Sequence, residues 1–424
     1  MRKFLVIAKM LTCVLPLLGG VVTGNGILVG LSLTFSSSLA TASDKAAKQS
    51  VSAKVGKPLQ EAQKLASQKK FQQALTKVNE AQAITNKTPF EEYKIQEFLA
   101  YVQINLKNYA AAAKAYDYTI NSGLLPPAEL PQRLGALTQI YYQAKNYPQV
   151  IKYGNRYLKE VGPDVDQAQS VAQAYYVQND FAHAAVAMQQ LINIATKLGK
   201  PVTENWLQLL MSSQYKQNKT GDVVKTLEQL LTLYPSKEYW ENIFAYEQSK
   251  MVTTDRSSLE VYRLKSATGI LEADEVVEFA ELAISLGLPG DAQSALEKGL
   301  SESVIDSKDK DRAARLLTMA KTQSTDDKKT LAALDTELRA KPTGDDEAKL
   351  GEAYLTYGEV AKAVDAIERG IKKGSLKAAD EAHLHLGIAY LQLGKAAKAD
   401  AEFKAIPAAS KYARLAQLWA LHAK

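Results

Sequence analysis

Leu386-Gly387-Ile388-Ala389-Tyr390, followed by Gly394, Ala399 and Phe403, is where the fold can be read. Tyr390 belongs to a first helix. Gly394 supplies the tight turn, because glycine tolerates positive φ without strain. Ala399, five residues later, is small enough to let a second helix approach the first. Phe403 lies four beyond Ala399, on the same helix face, and fills the space to the neighbouring element. The same grammar recurs in Leu350-Gly351-Glu352-Ala353-Tyr354 with Gly358, Ala363, Ile367 and Gly370, and in Ala174-Tyr175 with Phe181, Ala184 and Met188.

Working outward, the small residue of the second helix falls at Ala74, Ala112, Val150, Ala184, Val223, Ala292, Ala363 and Ala399. The steps are 38, 38, 34, 39, 69, 71 and 36, the two long ones close to double. Ten units with a mean step of about 36 residues account for them, a period that belongs to stacked helical hairpins. The larger partner four later is Tyr116, Met188, Leu227, Leu296, Ile367 or Phe403. The turn is Gly287, Gly358 or Gly394 in later units and Lys107-Asn108, Lys145-Asn146 or Asn179-Asp180 in earlier ones.

With three copies in register, and Trp206 with Leu230 and Pro235 as a looser fourth, the chain resembles the tetratricopeptide repeat family over residues 55–410. It is similar in particular to exported proteobacterial members, with Tyr262-Arg263-Leu264 to Gly269 and Gly287-Leu288-Pro289 fitting that grouping. The resemblance implies an all-α fold, a right-handed superhelical solenoid of about ten hairpins that binds protein segments in a concave groove and is not an enzyme. Three departures stand out. Gly154 occupies a position where a large residue is expected, which predicts an under-packed hairpin or closure by Tyr157. The unit from Trp240 to Gly269 has a longer turn. Asp309 to Lys341 keeps helical spacing without signature residues. The expected organisation is a signal peptide over 1–42, a linker over 43–54, a front block over 55–300, a degenerate hairpin over 301–343, and a last block with a capping helix over 344–424. The cap is expected from Tyr412, Leu415, Leu418 and Trp419, since a terminal repeat has no neighbour to bury it.

The N-terminus carries Arg2, Lys3 and Lys9, then no charge from Met10 to Ser43, and ends in Ala40-Thr41-Ala42. That small-x-small ending is what a signal peptidase requires, so the reading is export to the periplasm with cleavage after Ala42. An uncleaved inner-membrane anchor is the alternative, because the uncharged run exceeds the roughly 20 residues that span a bilayer. Five glycines and Pro16 in it weaken that alternative. Beyond the signal the chain holds 49 bases against 46 acids, too even a balance for a phosphate-binding stripe, and nucleic acid is not expected. The single cysteine, Cys13, lies inside the signal, which excludes disulfides, thiolate nucleophiles and cysteine metal sites from the remainder.

Counting along each first helix gives the residues expected to face the groove: Lys94, Glu97, Tyr101 and Asn105; Gln139, Tyr142 and Gln143; Gln173 and Tyr176; Gln208, Tyr215 and Lys216. Tyrosine offers a flat apolar face with a hydroxyl, and glutamine bonds both donors and acceptors of a peptide backbone. The expected partner is therefore an extended protein segment or a helix. A cell-wall or polysaccharide helper stacking sugars on the tyrosines, and a membrane-anchored accessory subunit of an envelope complex, are the alternatives. His383 and His385 are two apart and face different sides of a helix, so no metal site is expected from them, and no cofactor motif is present. Asp326-Asp327 and Asp345-Asp346 read as helix starts, where carboxylates satisfy exposed amides.

Overall fold

The computed structural model describes residues 50–423. The signal at 1–42 and most of the 43–54 linker lie outside them, and the first helix begins at Ala53. Among the described residues there are twenty α-helices, one 3-10 turn and no strand. The architecture is all-α and built of helical hairpins, and the chain divides into two compact units between Thr226 and Leu227.

The first unit holds α1 (Ala53–Ser67), α2 (Phe71–Gln82), α3 (Pro89–Asn105), α4 (Tyr109–Asn121), α5 (Leu130–Gln143), α6 (Tyr147–Glu160), α7 (Val165–Val177), α8 (Phe181–Lys197), α9 (Glu204–Lys216) and the start of α10 (Thr220–Leu233). Helix starts follow local chemistry. Thr88 and Glu91 close a capping box at α3, and Asp164 and Thr203 cap α7 and α9. In every hairpin of the eight-member register, the residue five before the small one has positive φ: Lys69, Lys107, Lys145, Asn179 and Asn218 here, Gly287, Gly358 and Gly394 later. The small residues themselves are sealed, with Ala74, Ala112, Val150 and Ala184 all at 0% exposure. Gly154 is not the gap its sequence position predicts. A Cβ there would lie 2.4 Å from Val171 Cγ2, so the next hairpin supplies the missing bulk from the other side.

The second unit holds the rest of α10, α11 (Lys237–Met251), α12 (Asp255–Thr268), α13 (Ala273–Ser285), α14 (Pro289–Ser301), α15 (Lys310–Arg339), α16 (Asp345–Thr356), α17 (Val360–Lys373), α18 (Ala379–Gln392), α19 (Ala396–Ala405) and α20 (Ala413–His422). The signature glycines Gly351 and Gly387 are close-approach positions: a Cβ would fall 2.3 Å from Ile367 Cγ1 and 2.4 Å from Phe403 Cε1.

Residues 301–343 do not form the degenerate hairpin. Lys310 to Arg339 is one continuous helix of 30 residues. Between Leu317 and Leu331 there is neither glycine nor proline, so nothing interrupts the backbone bonds. Asp326 and Asp327 accordingly sit in mid-helix, where Asp326 pairs with Lys329 and Asp327 accepts from the Tyr357 hydroxyl at 2.5 Å. The helix ends against Lys373, whose Nζ donates to the carbonyls of Leu338, Arg339 and Lys341 at 2.8–3.1 Å and reaches buried Glu347 at 2.6 Å.

The last helix buries Leu415, Leu418 and Trp419, but it does more than cover α19. Arg414 pairs with Glu228 and Glu247, both at 2.7 Å, and His422 meets the Trp240 ring edge-on at 6.1 Å. The end of the unit thus returns to its beginning. This is why residue 300, the expected end of a front block, falls in the interior of one compact unit.

Candidate functional site

The residues expected to face the groove occupy consecutive first helices of the first unit, α3, α5, α7 and α9. Gln139 donates from Nε2 to Ser170 Oγ at 3.0 Å, the Tyr142 hydroxyl donates to Gln173 Oε1 at 3.1 Å, and the Tyr176 and Ser212 hydroxyls are 2.8 Å apart. Each bond crosses from one hairpin to the next. Earlier in the row, Arg133 Nη2 donates to Glu97 Oε1 at 2.5 Å, and Lys94 Nζ to Glu97 Oε2 at 3.0 Å. The tyrosines also pack: Tyr142 lies edge-on to Tyr147, Tyr176 to Phe181 and Tyr101 to Phe71. Gln173 is buried, while Tyr101, Gln139, Tyr142, Tyr176, Gln208 and Tyr215 are half-buried. Asn105, Gln143 and Lys216 are exposed. The row is therefore a ladder of inter-hairpin bonds with an accessible edge.

A second constellation, in the second unit, was not anticipated from sequence. Helix α12 presents Arg256, Glu260 and Arg263 on one face. Arg263 donates from Nη2 to Asp291 Oδ2 at 2.6 Å, and from Nη1 to Glu260 Oε1 at 2.6 Å and Glu352 Oε1 at 3.0 Å. Arg256 donates from Nη2 to Glu352 Oε2 at 2.6 Å and from Nε to Glu381 Oε1 at 2.7 Å. His385 Nε2 lies 2.9 Å from Glu260 Oε1 and 3.1 Å from Arg263 Nη1. Glu260 is 0% exposed, and its Oε2 has no hydrogen-bond partner among the described residues.

Four carboxylates here face two guanidinium groups, and the charge states follow. Burial pushes the Glu352 carboxyl up, but His385, Arg263 and Arg256 together hold it down at about 2. Burial disfavours the charged imidazole of His385, yet Glu352 and Glu260 raise it above the ordinary histidine value. Asp291 is raised, burial outweighing its bonds to Arg263. Ligand atoms of Glu260, Glu352, Glu381 and His385 lie within 4.8 Å of one another, a spacing that could hold a metal ion. Arg263 Nη1 stands among three of those atoms at 2.6–3.1 Å and does there what a cation would do. His383 turns to another side and meets Glu402 at 2.7 Å. The sequence signal for this network was the spacing of Arg256, Glu260 and Arg263 together with the i, i+4 pair Glu381 and His385. It did not reveal that the two helices meet.

Beside the network opens a cavity of about 420 Å³, lined by Arg256, Asp345, Lys349, Glu352, Glu381 and His385, with an apolar floor that includes Leu286 and Leu376.

No family model and no curated protein matches the chain. Among solved structures it is similar to Naa15/Naa10 bound to HypK-THB, at 15% identity and a TM-score of 0.36, covering 84% of this chain and 59% of that one. It is also similar to the TPR2AB domain of yeast Sti1 in complex with pHSP90, at 13% identity and a TM-score of 0.24 over 70% and 99% of the two chains. A human IFIT1 dimer with m7Gppp-AAAA stands at 13% identity and 0.23 over 86% and 70%. Likenesses this distant carry no ligand across, and the hairpin packing described above is what defines the class: an all-α protein built of helical hairpins.

Proposed function

We propose that the chain is an exported, non-enzymatic scaffold that holds a segment of a partner protein along the first-helix row of its first unit, in the periplasm. The observation that carries this reading is the row itself: tyrosines on four successive first helices, joined from α5 to α9 by hydroxyl and glutamine bonds between hairpins and edged by Asn105, Gln143 and Lys216. Side chains already held in place lose little freedom when a partner docks, which favours binding by a pre-formed wall. A single extended segment or helix on such a surface would bind at about micromolar strength, roughly −8 kcal/mol. The reading requires no cofactor, metal or nucleic acid. Export rests on the uncharged run from Met10 and the Ala40-Thr41-Ala42 ending.

In-cell crosslinking followed by mass spectrometry identifies the partner. The double variant Gln143→Ala, Lys216→Ala changes only exposed side chains and should weaken that partner's binding at least about fivefold, near 1 kcal/mol, with far-UV helicity intact. A partner whose binding is unchanged, or an absence of any crosslinked protein, refutes the scaffold reading. N-terminal sequencing of the exported protein should begin at Ser43.

A further inference from the structure

We infer that the cavity between α12, the turn into α14, α16 and α18 is a binding site for a small zwitterion, a ligand carrying an ammonium and a carboxylate a few bonds apart, such as a short peptide. This concerns the second unit and does not depend on the row in the first.

The cavity, about 420 Å³, falls in the size range of small-molecule sites, which combine apolar lining with a few convergent polar groups. Its charged wall bears both signs. Arg256 spends Nε and Nη2 on Glu381 and Glu352, and its Nη1 has no partner among the described residues. Its side chain is 28% exposed and lines the cavity. Lys349 pairs with Asp345 Oδ2 at 2.9 Å and is 68% exposed, leaving further ammonium hydrogens to donate. Arg256 and Lys349 are thus the available donors for a carboxylate. On the same wall Asp345 and Glu381 retain lone pairs for an ammonium.

The sign of the surroundings selects against simpler ligands. A lone anion would enter against Asp345, Glu352 and Glu381, with the carboxylates of Glu260 and Asp291 buried behind them. A lone cation would face Arg256 and Lys349. A ligand with both charges meets its complement at each end, and the floor of Leu286 and Leu376 accepts an apolar side chain. The arrangement is held rigidly, because Arg256, Glu352 and Glu381 are locked by one another across α12, α16 and α18.

The test is calorimetric titration of the full chain with a panel of free dipeptides bearing small, branched and aromatic side chains, each also as its N-acetyl and C-amide derivative. At least one free dipeptide should bind at concentrations up to about 1 mM, and either blocked form should weaken it at least about tenfold. Lys349→Ala should weaken the free form and its N-acetyl derivative alike, with the melting temperature unchanged because the side chain is exposed. Arg256→Lys, checked for folding by circular dichroism, should weaken it further by removing the free guanidinium edge. Absence of binding across the panel, equal binding of blocked and free peptides, or indifference to Lys349→Ala would each overturn the proposal.

Discussion

Lys107 shows what one residue position contributes to this fold. It holds φ 59, and its N–H and that of Asn108 bond back to the carbonyls of Ile104 and Gln103 at 2.9 and 2.8 Å, closing the helix end. A lysine there bears a left-handed strain of about 1–2 kcal/mol that glycine avoids. Lys107→Gly should therefore raise stability by about 0.5–1 kcal/mol, the relief less the extra freedom of glycine in the unfolded chain. Chemical denaturation measures it, and a loss of stability would show that the lysine side chain contributes something the turn geometry does not require. This level of the structure was legible beforehand. The turn, the small residue and its partner at the fourth position are separated by four or five residues, so spacing alone exposes them. The under-packing expected at Gly154 does not occur: Val171 Cγ2 of another hairpin fills its place, while Tyr157, the expected alternative, packs beside Gly135.

At the scale of the element, α15 shows how a helix exceeds the repeat that surrounds it. Its leucines keep the spacing of two helices, and only the absence of a breaker distinguishes one long helix from a hairpin. Its C-terminus depends on Lys373, which donates to the carbonyls of Leu338, Arg339 and Lys341 beside the buried carboxylate of Glu347. Arg369 remains to pair with Glu347 at 2.7 Å. Lys373→Ala should cost about 1.5–3 kcal/mol, the range for hydrogen bonds to a charged group. Hydrogen exchange should localise the effect to amides near 335–342. Unchanged protection there would mean that water replaces the lysine without penalty.

At the scale of the whole molecule, the two units differ in their chemistry. The row of the first is joined largely by hydroxyl and amide bonds, the middle of the second by ionised groups. The second should consequently carry the stronger dependence on pH. His385 has its proton affinity raised on folding, so the stability it adds is present below its ordinary value of 6.5 and is lost as pH rises through the raised value. Glu352 is held at about 2 against an ordinary 4.5, so its contribution is present above 4.5 and is lost as pH falls toward 2. Hydrogen exchange read by mass spectrometry from pH 5 to pH 9 should show α12, α16 and α18 losing protection on the alkaline side. His385→Gln should flatten that limb. An alkaline loss spread equally over both units would contradict the assignment to His385. The spacing on each helix was visible in the sequence but the network was not, because Arg256 and Arg263 find most of their partners 89 to 125 residues away. Spacing within a helix says nothing about which distant helix will face it.

That distance has a consequence on the ribosome. Arg256 and Arg263 emerge long before Glu352, Glu381 and His385 have been translated, and at about 5–20 residues per second the delay is on the order of ten seconds. Throughout that interval α12 is a half-finished joint: Arg263 has Glu260 and Asp291 within reach, while Arg256 still awaits both of its carboxylates. The pairs that Arg414 makes with Glu228 and Glu247 wait longer still, until residue 414 has been added.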